Sequence, residues 1–201
     1  ATPPRARGAL SALERARSFD ALEREDFDCV VIGGGITGAG VAREAALRGL
    51  RVALLEARDF AAGTSSRSSK LIHGGLRYLA LGDVGLVRES ALERKVIFRL
   101  APHLAERRWM VLPVRSRAGL LKFRAAITTY EKLGAVERDD LHRNWGAAEL
   151  EAEEPALDRS EWRFACAYRE YLTDDARLVL ANLRAAAGLG ALSLNWAPVT
   201  G

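Results

Sequence analysis

The 201-residue chain predicts an α/β fold on a parallel sheet, with the start of a smaller α+β region behind it. Three observations carry this. Phe27–Ile32 (FDCVVI) is a short β-branched run that stops at three glycines, a buried-strand signal. Ile36 to Arg48 carries Ala, Val and Leu at helical spacing and ends at Gly49, where a helix favours a left-handed residue. Arg51–Glu56 (RVALLE) is a second apolar strand. Two such strands joined by one helix make a right-handed βαβ crossover, hence a parallel sheet with helices on its faces.

Residues 1–26 form a polar, Arg/Glu-rich lead-in after Pro3-Pro4, with a helix expected near Leu10–Leu22. Arg5, Arg7, Arg15, Arg17 and Arg24 suit a transit peptide, but Glu14, Glu23 and Glu25 argue against one. The βαβ region is expected to span 27–108. Within it, Ala61–Gly75 is rich in Gly, Ser and Thr but also holds Arg67, Lys70, Leu71 and Ile72, so it reads as an ordered loop. Asp83–Leu100 reads as a helix, with Val84, Val87, Ala91 and Ile97 on its apolar positions and Pro102 limiting it. The α+β region, 109–172, opens with a strand at Trp109–Val114. A helix at Leu120–Leu133 before Gly134 and an aromatic-rich strand at Trp162–Tyr171 follow. Thr173-Asp174-Asp175 opens a helix to about Ala187, because side-chain oxygens cap its free amides. Gly188 and Gly190 close it, and Ala191–Val199 reads as a strand, so 173–201 returns to the parallel sheet.

Composition narrows the function. With 49% hydrophobic and 28% charged residues, the chain is an ordinary globular one. Its net charge is +4, and its arginines are interleaved with acids, which reads as a solvated surface rather than a nucleic-acid groove. Cys29 and Cys166 lie far apart, with no CxxC and no Cys/His spacing, so no metal site is expected. Cys29 reads as a small buried hydrophobe, and this usage favours a reducing compartment. No apolar run reaches the ~18 residues of a membrane-spanning helix.

Gly33-Gly34-Gly35-Ile36-Thr37-Gly38 fits G-x-G-x-x-G between a strand and a helix. In that pattern Gly33 allows the tight turn, Gly35 admits a pyrophosphate, and Gly38 lets helix and strand pack closely. The free amides at the helix start, with the positive end of its dipole, then face the phosphates. Glu56 ends the second strand 18 residues after Gly38, close to the ~20 at which an acid bonds a ribose hydroxyl. Such an acid disfavours a 2′-phosphate. The unit points to a Rossmann-like dinucleotide site and leaves NAD and FAD both open.

The next stretch, Gly63 to Tyr78, bears on that choice. An NAD domain usually continues with another helix and strand, whereas here a hydroxyl-rich loop follows, ending in two glycines that permit close approach to a flat ring. The motifs VIGGGITGAGVA, DFAAGTSSRSSKLIHGGLRYL and, at Asp174–Asn182, DDARLVLAN resemble those of FAD-dependent glycerol-3-phosphate dehydrogenases. These are members of the D-amino-acid-oxidase-like flavoproteins. The likeness runs from Phe27 to about Leu104; residues 115–160 match less clearly.

The resemblance implies a Rossmann-like FAD-binding domain and the oxidation of sn-glycerol 3-phosphate to dihydroxyacetone phosphate, with hydride passing to flavin N5 and electrons to a quinone. By position, Gly33, Gly35, Ile36, Thr37 and Gly38 would hold the pyrophosphate and Glu56 the adenosine ribose. Thr64, Ser65, Ser66, Ser69, Lys70, Leu71, His73, Gly74 and Gly75 would line FAD towards its ring system. Arg77 matches the arginine beside the substrate phosphate, with Tyr78 close by. His73 reads as a satisfied buried histidine offering its main chain, His103 and His142 as surface residues, and Thr173–Asp175 as a helix start. The resemblance also implies a cytoplasmic protein, peripheral on the inner face of the membrane, and leaves room for a homodimer. Family members are much longer, so the chain is expected to be an N-terminal portion, not active alone, with the base and further substrate arginines beyond Gly201. Two alternatives stay open: a flavoenzyme of the same fold acting on amines or 2-hydroxy acids, and a flavin-binding module without turnover.

Overall fold

The computed structural model describes residues 10–79 and 81–200. The expected lead-in therefore falls partly outside the described residues, at 1–9. Two compact units emerge: residues 1–70 with 174–201, and residues 71–173. The expected break after 108 lies inside the second unit, and the expected return, beginning at 173, starts one residue before the first unit resumes at 174.

The first unit holds a three-stranded parallel sheet in the order β1-β2-β7. Its strands are β1 (Cys29–Ile32), β2 (Val52–Leu55) and β7 (Leu192–Leu194). Val31 pairs with Leu54, and Ala53 with Leu192. Helix α1 (Arg15–Arg24) precedes the sheet; α2 (Ile36–Leu47) connects β1 to β2, and α7 (Asp175–Gly188) leads into β7. On α2, Ala39, Ala42 and Ala46 recur at three- and four-residue steps and are buried. Methyl-sized side chains there bring the helix close to Val31, Val52 and Leu54 on the strands and to Val179, Leu183 and Ala186 on α7. Asp174 caps α7 by accepting from the Arg177 amide at 3.1 Å, as its position before the helical run requires. The last strand is shorter than Ala191–Val199. Trp196 adopts φ 49°, which turns the chain, and Pro198 has no N–H to give a ladder.

The second unit is built on β6 (Phe164–Thr173), which pairs antiparallel with β4 (Ala105–Val114) along its whole length. It also pairs with the two-residue β3 (Leu71–Ile72) and with β5 (Arg143–Trp145). Its helices are α3 (Leu76–Leu79), α4 (Val84–Leu100), α5 (Arg117–Leu133) and α6 (Ala147–Glu153). Asp83 and Ser116 cap α4 and α5 through side-chain oxygens. Val87 and Ala91 of α4 pack on Tyr130 of α5, and Trp145, Leu150, Ala165 and Ala167 form a separate cluster. The expected Ala61–Gly75 loop thus contains a strand, β3, too short to show any period. His142 is not a surface residue: its Nδ1 lies 2.8 Å from the Glu131 carboxylate, and both side chains are nearly buried. His103 is exposed, as expected. No helix among the described residues is long and apolar enough to cross a membrane.

Candidate cofactor site

The glycine loop between β1 and α2 is a tight turn. Gly33 has φ 110°, a conformation that L side chains rarely adopt. At Gly38 a Cβ would lie 1.9 Å from the Gly33 carbonyl oxygen, so only glycine lets the helix start this near the strand. Gly35 is the N-cap residue of α2, with extended backbone. The Ile36 amide donates to the buried Ser65 hydroxyl at 3.1 Å. The amides of Thr37 and Gly38 belong to the first turn, whose donors the helix itself does not use, and the helix dipole favours an anion there. Ile36 and Thr37 present exposed side chains beside them. The cradle fits a dinucleotide pyrophosphate.

Glu56 follows β2 and reaches back to that loop. Its carboxylate accepts from the Gly34 amide at 2.7 Å and from the Arg58 amide at 2.8 Å. These bonds, Arg58 first and Gly34 second, hold its pKa below the usual carboxylate value against partial burial. Each oxygen retains a lone pair for a hydroxyl donor, so an ionised Glu56 can bond a ribose. Gly34 was not singled out by the glycine spacing. Its role is visible only once β1 and β2 are paired, because it links the acid to the turn.

In the hydroxyl-rich loop the predicted residues separate. Thr64, Ser65 and Ser66 form one 3-10 turn. Thr64 and Ser66 are exposed, whereas Ser65 faces inward to α2. Ser69 is exposed as well. Lys70 has φ 62°, and its ammonium lies 3.4 Å from Asp175 at the start of α7. The Ser68 hydroxyl donates to that same carboxylate. Asp175 therefore does more than begin a helix: it anchors this loop, a task that sequence spacing gives no hint of.

The remaining predicted residues belong to the second unit. Leu71 lies in β3 opposite Leu172. Gly74 and Gly75 are buried in the turn that follows, and Gly75 has φ 83°. His73 is exposed rather than buried. Arg77 and Tyr78 are on α3, the Tyr78 side chain exposed and that of Arg77 outside the described atoms. Beneath the turn lies a cluster the sequence did not announce: Arg94 of α4 and Glu170 of β6, a buried ion pair at 2.6 Å. Its partners come from distant parts of the chain, and neither stands in a recognisable motif. Among the described residues no group of His, Cys, Asp and Glu could hold a metal ion.

Comparison with known proteins decides the family. Residues 28–201 match the model described as DAO, FAD dependent oxidoreductase. The chain belongs to this family. FAD is thus the cofactor of the fold it adopts, and the α/β expectation and the resemblance read from the motifs are both borne out. Among curated members of this FAD-dependent oxidoreductase group, aerobic glycerol-3-phosphate dehydrogenase of Staphylococcus aureus is 40% identical over 190 residues. That alignment takes in 94% of this chain and 34% of the relative. The chain spans about a third of the length of the curated relatives it matches. Among solved structures, the glycerol-3-phosphate dehydrogenase from Bacillus halodurans complexed with FAD superposes with a TM-score of 0.68 at 33% identity. It covers 92% of this chain and 29% of that one. An L-α-glycerophosphate oxidase from Mycoplasma pneumoniae with FAD bound shares the fold at 16% identity, with a TM-score of 0.69 over 86% of this chain and 45% of its own.

Proposed function

We propose that the protein carries out flavin-dependent oxidation of sn-glycerol 3-phosphate to dihydroxyacetone phosphate, and that this chain supplies much of its FAD site. The observation that carries this reading is the 40% identity to aerobic glycerol-3-phosphate dehydrogenase across 94% of the chain. When bound, FAD supplies the hydride acceptor for the two-electron oxidation of the secondary alcohol. In this reading Gly33, Gly35, Ile36, Thr37 and Gly38 receive the pyrophosphate and Glu56 the ribose. Thr64, Ser66, Ser69, Lys70, Leu71, His73, Gly74 and Gly75 line the rest of the cofactor, with Ser65 supporting them through Ile36. Arg77 binds the substrate phosphate, for which a guanidinium fork is suited, with Tyr78 beside it. A quinone as electron acceptor, a peripheral position at the membrane and a homodimer belong to the same proposal.

Because the chain spans a third of its relatives, turnover is assayed on the protein purified from its own source. Anaerobic addition of glycerol 3-phosphate should bleach its flavin absorbance. Bleaching by sarcosine or a D-amino acid in its place would establish the amine-oxidising alternative, and no bleaching by any of them the non-catalytic one. Arg77→Ala should weaken substrate binding by about 2 kcal/mol with FAD retained; an unchanged KM would remove Arg77 from the phosphate site.

A further inference from the structure

Among the described residues, Ala61, Lys70, Ala135 and Trp196 have a positive φ without being glycine, and of these only Trp196 carries a ring. At φ 49° a bulky residue is strained, and such strain persists where the surrounding structure fixes the backbone, often beside a ligand. Trp196 is also 62% exposed, so burial of its indole contributes little in return.

Main-chain bonds and a guanidinium fix the backbone at this point. The pairing of β2 with β7 ends where the Glu56 amide donates to the Leu194 carbonyl at 2.9 Å. Beyond it, the Trp196 amide donates to the Arg58 carbonyl at 2.8 Å, and the Ala197 amide to the Glu56 carbonyl at 2.9 Å. Arg15 of α1 donates to the Trp196 carbonyl at 3.3 Å and to the Asn195 side chain at 2.9 Å. Asn195 in turn donates to Asp59 at 2.8 Å. The segment after β7 is thus tied to the segment after β2, and Glu56 extends its carboxylate from the same short stretch whose carbonyls hold Trp196.

Sheet order then places the adenine. A dinucleotide lies across the C-terminal ends of parallel strands. The pyrophosphate cradle stands at the end of β1 and the ribose acid at the end of β2, and the next strand in the sheet is β7. Pyrophosphate, ribose and adenine follow one another in the cofactor, so the base falls at the end of β7, where Trp196 stands two residues past Leu194. We propose that Trp196 is an FAD-binding residue whose indole stacks on the adenine. The proposal rests on the reading that the glycine loop takes the pyrophosphate and Glu56 the ribose. An indole suits the task, since its flat π-face stacks on a purine without calling on the base's hydrogen-bonding groups.

The test uses the whole protein freed of FAD, with the variants Trp196→Ala, Trp196→Phe and Glu56→Ala. ADP, which carries adenine, ribose and pyrophosphate without the flavin, is titrated beside FAD. Trp196→Ala should weaken both by at least about fivefold, and Trp196→Phe, which keeps a ring, should return most of that affinity. Tryptophan fluorescence supplies a readout that a merely structural residue would not move. ADP should quench it in the parent, and the quenching should fall away in Trp196→Phe while ADP still binds. Parent-like affinity for FAD and ADP in Trp196→Ala overturns the proposal. So does an absence of quenching in the parent, or quenching undiminished in Trp196→Phe. If Trp196→Ala does not fold, the quenching in Trp196→Phe still decides. Glu56→Ala tests the reading underneath. Parent-like binding by Glu56→Ala overturns the ribose assignment whatever Trp196 does, whereas a loss in Glu56→Ala beside none in Trp196→Ala overturns the stacking alone.

Discussion

The two units hold their glycine turns by opposite means. In the first, the glycine turn, Glu56 and Ser65 are bound to main-chain amides: Gly34 and Arg58 for the acid, Ile36 for the hydroxyl. In the second, the turn at Gly74 lies against Tyr130 of α5 and Arg94 of α4, the latter held in a buried ion pair with Glu170 of β6. Main-chain anchoring adapts to a changed side chain, because the amides keep water or a substitute partner. Anchoring by a buried charge does not, since the loss of one partner strands the other.

Single substitutions can break that contrast. Glu170→Ala leaves Arg94 unpaired in the core and should destabilise the chain by about 3–5 kcal/mol, measured by denaturant unfolding; a loss equal to that of an exposed ion pair would erase the distinction. In the first unit the largest effect should come from sterics rather than charge. Gly38→Ala sets a methyl group against the Gly33 carbonyl and should cost about 3 kcal/mol as well as FAD binding. Asp174→Ala removes the α7 cap at about 1 kcal/mol, seen as a lower Tm. For Glu56 the folded-state pKa is depressed, so its stabilisation is fully present above the ordinary carboxylate range. It is lost as pH falls through the lower folded value. Glu56→Gln should therefore flatten the acid limb of the stability curve while changing neutral stability only slightly; an unaltered limb would mean the carboxylate bonds are not formed in solution. Smallest of all, Arg48→Ala breaks an exposed pair with Glu44 on α2 and should move stability by about 0.5 kcal/mol or less.

The same contrast governs what could be read from the sequence. The βαβ core was legible, since Phe27–Ile32, Ile36–Arg48 and Arg51–Glu56 each carry a local period, and the observed β1, α2 and β2 fall inside those bounds. The place of Glu56 beside the glycine loop was legible because its distance from Gly38 is set by the length of one helix and one strand. By contrast, β3 and β5 are two and three residues long, below any period, and exist because β6 offers them an edge. The exposure of His73 and the burial of His142 were both misjudged. Local sequence does not decide the second: it depends on Glu131 of α5, far away in the chain. Arg94 stands in no motif of the sequence, and only its opposition to Glu170 across the unit sets it apart.

The split of the first unit into two stretches of chain bears on the order in which the molecule is made. Ala53 must find Leu192 to complete the parallel sheet, yet all of residues 71–173 leave the ribosome before that partner does. The inserted unit has its whole sequence in hand while β2 still lacks a neighbour on its far side. Closing that long intervening segment is a slow, non-local event, so on a growing chain the dinucleotide half is the first to begin and the last to be finished.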